Sequence, residues 1–265
     1  MYSAFQLVKK YFKYYLSASN GKGHGIHSPF VFDFIINVLN DKKHYPDYDL
    51  IEARRQVLRN DETVIDVEDF GAGSAVIKTN KRVVKDIARS SLKPKKYAQL
   101  LYRIVKYYKP ENIVEIGSSF GVTTAYLASA NPKTKIFSAE GATAIAGIAT
   151  QTFDILQLKN VELHKGDFKN SLPEILSKIN FTGLAFVDGN HRKEATLQYF
   201  EALLKHSTID TILIFDDIHW SEGMEAAWQQ IKAHKAVTLS IDLFFIGIVF
   251  FNTRFKEKQD FVIRF

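Results

Sequence analysis

The chain contains no cysteine. That excludes disulfides, thiolate nucleophiles, zinc centres built on thiolates and iron–sulfur clusters. It is compatible with a reducing compartment, and a cytoplasmic protein is the expectation. Long apolar runs are missing as well. The longest, Leu243 to Phe251, falls well short of the roughly 20 residues that span a bilayer. Met1 to Leu16 interleaves lysines with aromatics, so it lacks a secretory apolar core. No membrane partner is expected on these grounds. No long repeat and no low-complexity linker interrupts the chain.

What is present is enough apolar mass for one substantial core: 265 residues, of which 46% are hydrophobic. Length and composition suit one large domain with a helical extension. Lysine and arginine number 35 against 29 acids, a net charge of +6, which raises the prospect of an anionic partner. The charge is local. From Lys78 to Lys109 eleven basic residues meet one acid, Asp86, so this segment carries +10 and the remainder −4.

The first 60 residues read as helical. Ser28-Pro29 is a helix start, the serine capping free N–H groups and the proline fitting the first turn. The helix expected from Phe30 to Leu39 is apolar on most faces, which suits a docked cap or a dimer contact. His24 and His27 have a metal-compatible spacing, but no further ligand lies nearby.

From Asn112 the pattern changes to strand–helix alternation. Strands are expected at 113–116, 135–139, 161–164, 184–187 and 211–215. Helices are expected at 122–130, 142–157, 172–179, 193–206 and 223–233. Two closing strands, 236–241 and 244–251, have no helix between them and should pair antiparallel. This predicts an α/β fold: a Rossmann-like, seven-stranded, mostly parallel sheet with an antiparallel last strand and helices on both faces. The expected division is a helical extension and cap over 1–90 and the strand–helix domain over 91–265.

Two glycine turns compete as ligand loop, Glu68 to Ser74 and Val114 to Gly121. Only the second is followed by a helix and then by a strand ending in an acid, Glu140. An acid about 20 residues past such a loop is the expected partner of ribose hydroxyls. Further acids end the next strands: Asp167 after the third, Asp188 after the fourth, Asp216 and Asp217 after the fifth. Acids at the ends of successive parallel strands face one crevice.

Three blocks carry a family resemblance: Val114-Glu-Ile-Gly-Ser-Ser-Phe-Gly-Val-Thr-Thr, Phe186-Val-Asp-Gly-Asn-His and Ile214-Phe-Asp-Asp-Ile-His-Trp. From about Ser91 to the C-terminus the chain resembles the class I S-adenosylmethionine-dependent methyltransferases, most of all the catechol-type and sugar O-methyltransferases. The resemblance implies that Glu115 and the backbone of Gly117, Ser118, Ser119 and Gly121 hold the methionine end of the cofactor. It implies that Glu140, followed by Gly141, accepts from the ribose hydroxyls. Asp167 would accept from the adenine amino group, with a backbone N–H from Phe168. Asp188 would line the cofactor and, with Asp216 and Asp217, hold a divalent ion such as Mg²⁺, whose preferred ligands are oxygens. Where the catechol-type enzymes usually have an Asn-type ligand, this chain has Asp217, which is closer to the sugar-modifying relatives.

His191, three residues past Asp188, suits removal of a hydroxyl proton near neutral pH. His219 competes for that role, and Trp220 would wall the pocket. The acceptor expected is a small-molecule hydroxyl, with Ser90, Ser91 and Lys93 to Lys96 meeting an anionic group on it. A homodimer is compatible with the sequence.

Other functions stay open. The basic segment suits an RNA or other nucleic-acid methyltransferase. Against parts of that reading, cytosine C5 chemistry needs a cysteine, and the fourth strand ends Asp-Gly-Asn-His rather than in a Pro-Pro-aromatic motif. A non-catalytic cofactor-binding protein is a third reading. A nicotinamide-dependent enzyme is disfavoured, because the loop lacks G-x-G-x-x-G.

Overall fold

A computed structural model describes residues 1–67 and 80–265. The first glycine turn, Glu68 to Ser74, and Lys78 lie outside the described residues. The chain divides into two compact units, Met1–Asp41 with Ile179–Phe265, and Lys42–Lys178.

The second unit opens with α1, Asp47–Asn60, and an antiparallel pair, β1, Val64–Asp66, and β2, Lys81–Val83. Helices α2, Val84–Ser91, and α3, Lys95–Tyr108, follow. The alternating core comes next: β3, Asn112–Ile116; α4, Val122–Ala130; β4, Lys135–Glu140; α5, Thr143–Ile155; β5, Val161–Lys165; α6, Phe168–Ser177. Strand β3 is buried at every position, as a parallel strand covered on both faces should be. Helix α1 is tied down by its acids: Tyr102 on α3 donates to Asp47 at 2.7 Å and Tyr126 on α4 donates to Glu52 at 2.8 Å. On α3, Leu100, Leu101 and Ile104 are buried, whereas Lys95, Lys96 and Lys106 are exposed.

The first unit has an N-terminal helix, α7, Ala4–Ser17, and a short helix, α8, Pro29–Phe34, that runs into a π-helical turn, Ile35–Leu39. It continues with β6, Thr182–Val187; α9, Lys193–Leu204; β7, Ser207–Asp216; α10, Glu222–Ala233; β8, Leu239–Asp242; β9, Ile246–Phe250; β10, Gln259–Val262. Strand order is β10-β8-β9-β7-β6 in this unit and β3-β4-β5 in the other, eight strands in all, mostly paired parallel and flanked by helices. This is the expected Rossmann-like α/β fold.

Three local expectations are corrected. Ser28 precedes α8 with Pro29 in its first turn, but its side chain makes no cap; its carbonyl accepts from Phe32 N–H instead. The expected helix from Phe30 to Leu39 is α-helical only to Phe34, then widens to π geometry. The two closing strands do pair antiparallel, β8 with β9, but an eighth strand, β10, adds parallel to β8 at the edge.

Candidate active site

In the second unit, register lines up three strand ends. Strands β3 and β4 pair Ile116 with Ala139, and β4 and β5 pair Glu140 with Lys165. The turn after β3 is sewn to its neighbour by Gly117 and Ser118 N–H groups donating to the Ala139 carbonyl, at 2.9 and 3.1 Å. Gly166 N–H does the same to the Glu140 carbonyl. The glycine turn, Glu140 and Gly166-Asp167 thus open at one end of the three strands.

The turn is tight. Gly117, Ser119 and Gly121 all have positive φ, at 95°, 48° and 76°. At Gly121 a Cβ would come within 2.5 Å of Phe153 Cε1 and 3.3 Å of Ala149 Cα on α5. This glycine is therefore required by the packing of α4 against α5, a reason the sequence pattern does not reveal. Glu140 is almost buried and its carboxylate anchors the turn. Ser119 N–H donates to Oε2 at 2.8 Å and Ala142 N–H to Oε1 at 3.0 Å. Burial raises its pKa, against the opposing pull of these backbone N–H groups and that of Gly141. Each carboxylate oxygen keeps a second lone pair for a ligand hydroxyl.

Glu115 is fully buried beneath the turn. Its Oε2 accepts from Thr124 Oγ1 at 2.6 Å and Ser138 Oγ at 2.5 Å. Burial pushes its pKa up to about 7, outweighing those two donors. Among the described residues, Glu115 Oε1, Ser118 Oγ and Ser119 Oγ are buried with no hydrogen-bond partner. Buried polar atoms are nearly always satisfied, so three orphans around one glycine turn fit a polar ligand at this end of the strands. Asp167 is exposed and caps α6, its Oδ1 accepting from Lys169 N–H at 2.9 Å, and Phe168 begins that helix.

In the first unit, parallel pairing sets Val187 beside Phe215, so Asp188 and Asp216 leave adjacent strands together. Asp188, His191 and Asp216 each offer a ligand atom within 4.8 Å of the other two, the one such group of three among the described residues. His191 Nε2 lies 3.5 Å from Asp188 Oδ1. Asp217 is not among the three; it turns the chain with φ 53° and its carbonyl accepts from Trp220 N–H. Asn190, which the sequence shows only as one member of the Asp-Gly-Asn-His run, has φ 64°, and its Oδ1 is buried without a partner among the described residues.

His219 is otherwise engaged. Its Nδ1 is 2.9 Å from Glu225 Oε1 and its Nε2 2.8 Å from Asp242 Oδ2. Burial works to lower its pKa, but the Asp242 and Glu225 carboxylates prevail and raise it. Both ring nitrogens of His219 are thus taken by carboxylates. Asp242 and Glu225 are not legible as its partners in the sequence, because they sit 23 and 6 positions away on separate elements.

Residues 114–218 match a family model described as a methyltransferase domain. Over that stretch the chain is similar to a methyltransferase domain. Solved structures agree on the fold. A Podospora anserina methyltransferase, PaMTH1, bound to S-adenosylhomocysteine (SAH), is 13% identical, with TM-score 0.60 over 84% of this chain and 96% of its own. A Bacillus cereus O-methyltransferase in complex with SAH is 19% identical, with TM-score 0.57 over 80% and 93%. The Streptomyces achromogenes O-methyltransferase TomG, in complex with S-adenosylmethionine (SAM), is 18% identical, with TM-score 0.51 over 61% and 82%. No curated protein sequence matches significantly.

Proposed function

We propose that this methyltransferase uses SAM to methylate a hydroxyl of a small molecule, with residues 91–265 as the catalytic part. The observation that supports the cofactor best is the glycine turn with Glu140 bound to its backbone and three buried polar atoms unpartnered beneath it. Bound SAM supplies a methyl group on a cationic sulfur. Glu115 and the turn residues Gly117, Ser118, Ser119 and Gly121 would hold its methionine end. Glu140 and Gly141 would take the ribose, and Asp167 and Phe168 the adenine. The B. cereus and P. anserina structures, bound to SAH, favour the same cofactor.

Asp188, His191 and Asp216 would perform the acceptor chemistry. Two carboxylates would suit a hard divalent ion that keeps several waters, held by Asp188 and Asp216 and polarising the acceptor hydroxyl. His191 would then remove the hydroxyl proton, and Asp188 would stabilise the imidazolium that results. An imidazole in the donor set also suits softer divalent metals, and a metal-bound His191 would not serve as base.

Calorimetric titration with SAM and SAH tests the cofactor. Both should bind, and Glu140→Ala should weaken them about 10- to 100-fold, the loss of charge-assisted hydrogen bonds. Absence of binding by the wild-type chain would refute the reading. A mass-spectrometric screen of hydroxyl acceptors in Mg²⁺ and in EDTA tests the metal; full turnover in excess chelator removes it. His191→Ala with turnover within a few fold of wild type over pH 6–9 would eliminate the base.

A further inference from the structure

Helix α7 has two apolar faces, and the chain itself covers one. On the covered face Tyr14 is buried, its hydroxyl donating to the Ile263 carbonyl. Tyr11 meets Phe244 edge-on at 5.1 Å. At the other end of the helix, Lys10 Nζ and Tyr2 Oη donate to the Glu225 carboxylate at 2.9 and 2.8 Å. A capping box between Ser3 and Gln6 fixes the first turn. Held from Tyr2 to Tyr14, the helix is not free to roll and bury its other face.

That other face is strongly exposed: Phe5 79%, Val8 66%, Phe12 62% and Leu16 63%. Their spacing of three, four and four residues places them on one stripe. Lys9 and Lys13, both exposed, border it, and no acidic residue precedes Asp33 in the sequence. An apolar helical stripe flanked by unopposed lysines is the pattern of a helix that lies in a lipid interface.

We propose that this face of α7 docks on an anionic phospholipid surface, with Phe5, Val8, Phe12 and Leu16 entering the headgroup boundary and Lys9 and Lys13 meeting the lipid phosphates and carboxylates. Charge complementarity selects this occupant. A second copy packed stripe to stripe would set Lys9 and Lys13 against the same lysines, with no acid on the helix to offset them. The docking is peripheral: among the described residues no helix is long and apolar enough to cross a membrane. It is independent of the methyltransferase reading, and its test uses no turnover.

The experiment is cosedimentation of the full chain with vesicles of phosphatidylcholine alone, and of phosphatidylcholine with one third phosphatidylserine. The wild-type chain should pellet with the anionic vesicles, not the neutral ones, and be released by high salt. Each lysine near such a surface counts about fivefold, so Lys9→Gln with Lys13→Gln should weaken binding about 30-fold. Phe5→Ser, Phe12→Ser and Leu16→Ser together should abolish it with circular dichroism unchanged. Should that triple variant fold poorly, the lysine pair decides the matter alone. Failure to bind anionic vesicles overturns the proposal. So does a wild-type dimer in light scattering that the triple variant converts to monomer, which would give the face to a second copy.

Discussion

Replacing Glu115 by Gln should change how stability depends on pH, and by an amount the site itself sets. Glu115 is fully buried and its pKa is pushed up to about 7, from an ordinary value of 4.5. The native state therefore keeps a proton that the unfolded chain gives up. For a carboxyl raised on folding, the stability it contributes is complete below the unfolded value and is lost as pH climbs through the folded value. Between pH 4.5 and about 7 the loss runs at about 1.4 kcal/mol per pH unit, or roughly 3 kcal/mol in all.

The amide keeps the shape and the oxygen that accepts from Thr124 and Ser138, and it does not titrate. Urea unfolding at intervals from pH 5 to 8 should therefore show a wild-type curve that falls relative to the variant. The two should lie close near pH 5, with the variant ahead by about 2–3 kcal/mol at pH 8. The readout is the difference between the two slopes, so other titrating groups cancel. Parallel curves over the whole range would show that Glu115 is ionised throughout, and burial would not be what governs its proton.

Three further outcomes are expected. Gly121→Ala must adopt a left-handed conformation and press on Phe153, so unfolding free energy should drop by about 2–4 kcal/mol; an unchanged urea midpoint would contradict the packing argument. His219, with its pKa raised, contributes stability below its unfolded value of 6.5 that is lost as pH rises through the folded one; Glu225, with its pKa lowered, contributes above 4.5 and is lost as pH falls. His219→Ala should thus cost most, about 2–3 kcal/mol, between these limits near pH 5.5, and clearly less near pH 8.5; a cost that grows with pH would reverse the assignment. Replacing both Lys95 and Lys96 by Gln should raise KM for an anionic acceptor about tenfold, with kcat and SAM binding unchanged; identical kinetics would remove these lysines from acceptor binding.

The sheet is legible in the sequence because its signal is local. Fully buried strands such as β3 and amphipathic helices announce themselves within ten residues, and an acid after a strand marks a strand end. The candidate cofactor turn is legible for the same reason. What does not show is whatever depends on neighbours distant in sequence. Strand β10 is four residues long and only partly buried, too short and too polar to stand out before β8 gives it a partner. Gly121 looks like a ligand glycine, yet its constraint is a phenylalanine 32 positions later. Adjacent Asp216 and Asp217 look alike in the sequence, but β7 ends at Asp216. Asp216 stays with Asp188 while Asp217, with its left-handed φ, goes into the turn. The same logic separates the two histidines. His219 follows a strand-end acid as His191 does, so the local pattern treats them alike. Only the fold shows His219 held by Asp242 and Glu225 from other elements, whereas His191 lies beside Asp188 and Asp216.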